Sequence, residues 1–297
     1  MLLRGSSPLG RVVAITGAGS GIGLASARAL VLHGARVAIG DIDVDTARRA
    51  AAELNRQAVA EIAVASHVDV ADAESFSRFY SNAEEALGPI DVLVNNAGVM
   101  WVGPFDEEAP KSIERQIAVN LIGPINGIRI ASAAMRGHGG GHIVTVASAA
   151  SKLAPAGEAT YTATKHGIYG YNKAVRRELR GSGITLSVVM PAVVDTPLAA
   201  GTTSGAARML TPERIAERIV SVISRPRFEL MVPWTTQVLS SAQSLLPQPL
   251  CDVLDRLLVP DQTTSADRSV RAEYESRSLD TESADVRPPP QKLHDDT

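Results

Sequence analysis

Short apolar runs alternate with longer stretches of helical periodicity along most of this chain. The runs fall at residues 11–16, 36–40, 90–95, 142–147, 184–190 and 228–232, with a further one ending near Asp69. Each is bounded by glycine or polar turn residues, which marks it as a strand. Between them, residues 23–32, 45–58, 75–87, 111–135 and 161–180 read as helices, and Thr211-Pro212-Glu213 starts another. The pair His33-Gly34 ends the first helix, since glycine accepts the left-handed conformation of a helix C-cap. Threonine before proline supplies an N-cap hydroxyl and a pre-set first turn. Strands alternating with helices predict parallel pairing through right-handed crossovers. The strands are almost continuously apolar, as expected when helices cover both faces of a sheet. The fold class is therefore α/β, a doubly wound parallel sheet, with residues 8–235 forming one domain.

Beyond that domain the pattern changes twice. Residues 236–260 form a helical extension, in which Leu250, Val253, Leu254, Leu257 and Leu258 share one face opposite Asp252, Asp255 and Arg256. Packing of this face on its own domain or on a partner subunit is the leading expectation. A cover for a substrate pocket comes second and peripheral membrane docking third, because the polar face lacks lysines. Cys251 reads as a small buried apolar side chain. Residues 261–297 are polar, charged and proline-rich, ending near Pro288-Pro289-Pro290. Such a composition buries too little apolar area to offset chain entropy and predicts disorder.

Composition narrows the classes. Of 297 residues, 45% are hydrophobic and 21% charged, an ordinary globular balance. A net charge of -3 without a basic block argues against nucleic acid as a partner. One cysteine and six histidines without ligand spacing give no metal site, and the lone thiol fits a reducing, cytoplasmic setting. The first nine residues do not read as a signal peptide, and no uninterrupted apolar stretch reads as long enough to span a bilayer.

The chemistry begins at Thr16-Gly17-Ala18-Gly19-Ser20-Gly21-Ile22-Gly23, between the first strand and the first helix. A dinucleotide cradle needs one glycine for the bend, one for close approach of backbone amides to the pyrophosphate, and one for helix–strand packing. Gly17, Gly21 and Gly23 offer these at a spacing one residue looser than the common fingerprint, with Ser20 and Ile22 lining the turn. The helix N-terminus adds free amides and partial positive charge. Asp41 ends the second strand eighteen residues after Gly23, where a carboxylate accepts bonds from both ribose hydroxyls and repels a 2′-phosphate. No basic residue interrupts Ala18-Gly19-Ser20, and Arg48 and Arg49 lie too far along the next helix. The cofactor expected is NAD rather than NADP. The plainer reading of Asp41 is a cap for the following turn. Asp69 is placed to bond an adenine amino group while Val70 packs on the ring. Asn95-Asn96-Ala97-Gly98 reads as a floor beside the adenosine.

Tyr161 and Lys165 share one helical face. A phenol titrates near pH 10, so use as a base near neutrality requires roughly 4 kcal/mol of stabilisation of its anion for three units. Lys165 can supply part of this and also bond the nicotinamide ribose. Ser148 ends the fifth strand and can hold a substrate oxygen, with Ser151 as the rival serine. Asn120 lies in an apolar helical stretch. It reads as a satisfied buried amide or as the holder of a water that links Lys165 to solvent.

With these residues in place the chain resembles the short-chain dehydrogenase/reductase family, in its single-domain branch. The resemblance rests on residues 16–23, Asp69, residues 95–98, Asn120, Ser148, Tyr161-Thr162-Ala163-Thr164-Lys165 and residues 191–196, in the family's order. It implies a seven-stranded Rossmann-type sheet, a homodimer or homotetramer, and an Asn120–Ser148–Tyr161–Lys165 tetrad. Tyr161 would be the acid/base, Lys165 would lower its pKa and bind ribose, Ser148 would orient the substrate, and Asn120 would sustain a water relay. Pro191, Val194 and Thr196 would border the nicotinamide carboxamide. Ala192 departs from the family, which usually has glycine there.

The expected activity is NAD(H)-dependent interconversion of an alcohol and a ketone or aldehyde. Met100, Trp101, Leu153, Pro155 and Leu198, with a lid over residues 196–210, give an apolar pocket suited to a lipophilic steroid-, retinoid- or lipid-like substrate. Two other readings are a catalytically silent NAD-sensing protein, against which the complete tetrad argues, and a sugar-nucleotide epimerase or dehydratase. The latter branch carries a larger C-terminal domain than residues past Leu210 provide.

Overall fold

Apolar side chains at alternate strand positions divide the core into two layers. In β1 (Val12–Thr16), Val13 and Ile15 face one side while Val12 and Ala14 face the other, all fully buried. The computed structural model describes residues 7–56, 61–204, 208–243 and 245–279. Within these, β1, β2 (Arg36–Asp41), β3 (Ala63–His67), β4 (Val92–Asn95), β5 (Gly141–Val146), β6 (Ile184–Pro191) and β7 (Glu229–Val232) form one parallel sheet in the order β3-β2-β1-β4-β5-β6-β7. The doubly wound, seven-stranded expectation is met. Helices α1 (Gly21–Leu32), α2 (Val44–Asn55) and α7 (Pro212–Ser224) supply Ala27, Leu30, Ala50, Ile215 and Ile219 to the layer of Val13 and Ile15. Phe76 and Phe79 of α3 (Ala73–Leu87), Ile128 and Met135 of α5 (Gly123–Gly137), and Ile168 of α6 (Ala159–Glu178) fill the other.

The strand order reverses between β1 and β4. The crossovers from these neighbours leave in opposite directions, which opens a crevice at the strands' carboxyl ends. The candidate residues of the glycine turn, Asp41, Asn96, Ser148 and Pro191 all lie at or just beyond those ends.

The helix expected over 111–135 is divided. It runs as α4 (Pro110–Ile117), a π-helical turn (Ala118–Ile122) and then α5. Wide turns of this kind often accompany functional sites. The whole run Pro110–Gly137 is also long and apolar enough, by length and composition alone, to cross a bilayer, contrary to the sequence reading. Half of its most apolar window is buried, and α5 packs on α3, β4 and β5, so here it serves as a core helix.

The C-terminal segment corrects two expectations. Helix α8 (Trp234–Gln243) leads into α9 (Gln248–Leu258), whose Leu250, Val253 and Leu257 are exposed rather than packed on their own domain. Among the described side chains of α9, Cys251 is the one buried, its Sγ 3.3 Å from the Gln243 carbonyl. Disorder past Pro260 does not hold for residues up to 279. Helices α10 (Gln262–Ser265) and α11 (Arg268–Ser278) dock on the domain, while residues 280–297 lie outside the described residues. Side-chain caps start both helices: Asp261 accepts from Thr263 N, and Asp267 from Ser269 N and Val270 N.

Candidate active site

Backbone geometry shapes the glycine turn. Gly17 has φ +63°, and a Cβ there would lie 2.7 Å from Ala97 Cα; one on Gly23 would lie 2.3 Å from the Gly17 carbonyl oxygen. Only glycine fits these contacts, which bring α1 against the β1 turn. Asn96 ties the turn to β4. Its Nδ2 donates to Thr16 O at 3.0 Å and Gly17 O at 2.9 Å, while Thr16 Oγ1 accepts from the Asn96 and Ala97 amides.

A cavity of about 910 Å³ lies over this floor. The candidate catalytic and cofactor-binding residues line it, except Gly23, buried in the turn, and Asn95 and Asn120, both buried. Asp41 does both things expected of it. Its Oδ1 accepts from Asp43 N at 3.1 Å, capping the turn, and its Oδ2 accepts from Gly19 N at 2.8 Å beside the cavity. Burial raises its pKa, opposed by those amide bonds. Arg48 pairs with Asp45 and Arg49 with Thr46 Oγ1, and neither lines the cavity. Asp69 accepts from Ala71 N and, at 3.4 Å, from Arg115 Nη1. Arg115 was missed, because its partner lies far off in sequence and no local pattern marks it.

The Tyr161 phenol is buried beside the cavity, with Ser148 in hydrogen-bonding reach. Lys165 Nζ lies 5.3 Å from the centre of the tyrosine ring and is buried. It has no hydrogen-bond partner among the described residues. Burial pushes the Lys165 ammonium down to about 8. Tyr161 departs from expectation: burial, then the charge of Glu158, push the phenol above its ordinary value, with Ser148 opposing them. In the protein alone the phenol is thus held protonated. Ser148 lines the cavity, also accepting from Ala150 N, whereas Ser151 is buried away from it. Asn120, in the π turn, is a satisfied buried amide. Its Oδ1 accepts from Val99 N at 2.9 Å and its Nδ2 donates to Val99 O at 2.7 Å and Thr164 Oγ1 at 3.3 Å.

Met100, Leu153, Pro155 and Leu198 line the far end as expected; Trp101 does not, its ring lying over Gly103. The roof was not foreseen. Val270, Tyr274, Arg277 and Ser278 of α11 line the cavity. Arg271 is 1% exposed and pins α11 down: it donates to Leu198 O at 2.7 Å, Ala200 O at 3.3 Å and Met100 O, and pairs with Glu275 at 3.0 Å. Glu275 in turn accepts from Val102 N. Gln262 adds a second anchor, exchanging bonds with the Thr203 backbone. The visible signals were the Asp261 and Asp267 caps and the Arg271–Glu275 spacing.

Fold and cavity define a doubly wound α/β protein with the glycine-rich turn of a nucleotide-binding fold. Residues 11–207 match the family model for short chain dehydrogenases, and the chain belongs to that family. It is 32% identical over 262 residues to the probable oxidoreductase EphD of Mycobacterium tuberculosis. That match covers 80% of this chain and 44% of the relative, so the chain spans less than half of that relative's length. Among solved structures, a short chain dehydrogenase/reductase from Burkholderia phymatum in complex with NAD superposes with a TM-score of 0.74 at 26% identity, covering 88% of this chain and 98% of that one. An alcohol dehydrogenase from the archaeon Thermococcus sibiricus, complexed with 5-hydroxy-NADP, gives 0.68 at 29% identity, covering 75% and 95%.

Proposed function

We propose that this protein is an NAD(H)-dependent oxidoreductase that interconverts a lipophilic secondary alcohol and its ketone. The carrying observation is the meeting of Tyr161, Ser148 and an otherwise unpartnered Lys165 in one cavity that runs from the glycine turn to an apolar chamber. The cradle fits a dinucleotide: Gly17 and Gly21 leave the turn open to the cavity, and the Lys165 ammonium is free to take a ribose hydroxyl. Asp41 favours NAD, since its half-buried carboxylate beside Gly19 repels a 2′-phosphate.

When bound, nicotinamide supplies the hydride acceptor or donor. Ser148 would hold the substrate oxygen, and Tyr161 would pass the proton at that oxygen. A phenol held protonated is ready to donate to a ketone. In the oxidative direction it must first lose its proton, which the Lys165 charge favours. Asn120 fixes the Val99 loop beside Lys165 and would support a water relay. The free buried Cys251 is compatible with a reducing cytoplasm.

An NAD-linked screen of steroids, retinoids and aliphatic secondary alcohols, run in parallel with NADP, tests this reading. Tyr161→Phe is expected to lower turnover at least ~1,000-fold while NADH binding, read by fluorescence, is unchanged. Comparable rates for variant and parent would remove Tyr161 from the chemistry. A strong NADP preference would overturn the role given to Asp41.

A further inference from the structure

One buried acid in the cavity has no job in this scheme. Glu158 is 7% exposed and lines the chamber next to Tyr161. It occupies the N-cap position of α6, yet its side chain makes no capping bond. Its carboxylate has no hydrogen-bond partner among the described residues, and the neighbouring acids contrast with it. Glu108 accepts from Ser112, Gln116 and Thr160, and Glu275 from Val102 N and Arg271. Arg271, whose charge favours the Glu158 carboxylate, spends its guanidinium on three carbonyls and Glu275 and makes no ion pair with Glu158.

A buried carboxylate without a donor is costly, so its retention calls for a donor that arrives with the ligand. Met100, Leu153, Pro155 and Leu198 at this end offer no side-chain donor, and the roof residues Tyr274 and Ser278 make no hydrogen bond to the Glu158 carboxylate. Glu158 stands at the N-cap of α6, three residues before Tyr161, so the two side chains leave the chain within about one turn of each other. The influence of the Glu158 charge on the Tyr161 phenol agrees with that proximity.

Building on the oxidoreductase reading, we infer that Glu158 is a specificity-determining acceptor, bonding a second hydroxyl carried by the substrate about one helical turn from the reacting oxygen. The preferred substrates are then diols or hydroxyketones on an apolar ring skeleton, rather than simple secondary alcohols. The second hydroxyl would give the carboxylate the partner the protein withholds, while the ring fills the apolar wall. Glu158 acts on binding and orientation, and the proton at the reacting oxygen stays with Tyr161.

The test uses matched pairs with NAD: cyclohexanol against trans-1,4-cyclohexanediol, and a 3-hydroxysteroid against its 3,17-diol. The parent is expected to favour the diol in each pair it accepts by at least about tenfold in kcat/KM. Glu158→Leu should abolish that preference, chiefly through a rise in KM for the diol, with NADH binding within about twofold of the parent. Glu158→Gln, which still accepts a hydrogen bond, should keep part of the preference. A parent that oxidises both members of every pair equally overturns the inference and leaves the oxidoreductase reading standing. The same holds for a preference untouched in Glu158→Leu, or for equal losses on both members. A parent inert toward all four compounds overturns the inference and, if inert across the wider screen too, the oxidoreductase reading with it.

Discussion

Around Gly17 and Gly23 the cavity wall is made by the backbone, and a single added carbon at either position would strike another backbone atom. Around Arg271, on the opposite side, the wall is held by one side chain reaching the carbonyls of Met100, Leu198 and Ala200. The floor belongs to the sheet and cannot move without it. The roof is a separate helix fastened to two loops. The difference teaches how one molecule divides its work. A rigid floor serves a cofactor of fixed shape, and a pinned roof adapts the chamber to a substrate. Substitutions in the floor should therefore affect NAD(H) and substrate together, whereas those in the roof should affect substrate alone.

The largest effect belongs to Gly23→Val. Its Cβ has no room beside the Gly17 carbonyl, so α1 must move off the turn. Overpacking against backbone costs ~3 kcal/mol or more, which equals ~100-fold in affinity when taken from the cofactor site. NADH titration by fluorescence checks it, and near-parental affinity would show that the floor is not rigid. Next comes Arg271→Met. Removing one partner of a buried ionic cluster typically costs 3–5 kcal/mol, here drawn from the docking of α11. Hydrogen exchange should quicken over residues 268–278, and KM for a bulky substrate should rise at least ~10-fold while NADH affinity holds. A matching loss of NADH affinity would break the division between floor and roof.

Glu158 lies between the two regions and gives a prediction in pH. Burial raises its carboxyl from 4.5 to about 7, so the folded protein binds the proton more tightly than the unfolded chain. The associated stability is fully present below pH 4.5 and is lost as pH rises through about 7. That interval is worth ~3 kcal/mol in the limit of one isolated group. Glu158→Gln has no such proton, so its stability relative to the parent should climb between pH 5 and pH 8 by up to ~3 kcal/mol. Urea unfolding at the two pH values measures it. A difference independent of pH would mean that Glu158 finds a partner in solution that holds its charge.

The floor was legible in the sequence because its constraints are local. Strand, glycines and helix stand side by side, and Tyr161 and Lys165 share a turn. The chemistry of Asp41 follows from its place at a strand end. The roof was not legible, because its fastening joins α11 to loops more than seventy residues away, and composition pointed to disorder. Average polarity hid a helix in which Arg271, one of three arginines, is fully buried. The exposed Leu250, Val253 and Leu257 show the converse failure: amphipathic spacing identified α9 but not what its apolar face meets. Tyr161 shows a third kind. Spacing located the phenol and put Glu158 three residues before it, but the pKa depends first on burial, which only the folded cavity sets.

The smallest predicted effect is the most discriminating, because it changes the same chemical group in both regions. Asp267 caps α11, its carboxylate accepting from Ser269 N at 3.0 Å, Val270 N at 3.3 Å and Ser269 Oγ at 2.7 Å. Asp72 caps α3 in the core, accepting from Glu74 N at 2.9 Å. Loss of either cap should cost ~1 kcal/mol, since each satisfies amides that the first helical turn cannot. Where that cost appears depends on what the helix is joined to. Helix α3 carries Phe76 and Phe79 into the core, so Asp72→Ala should lower global stability and leave local exchange in α3 unchanged relative to the rest of the domain. Helix α11 is fastened mainly through Arg271, Glu275 and Tyr274, so Asp267→Ala should speed exchange over residues 268–278 about fivefold with the global unfolding midpoint unmoved. Equal shifts in global stability from the two variants would mean that roof and floor unfold as one unit, and that the chamber could not be reshaped without disturbing the cradle.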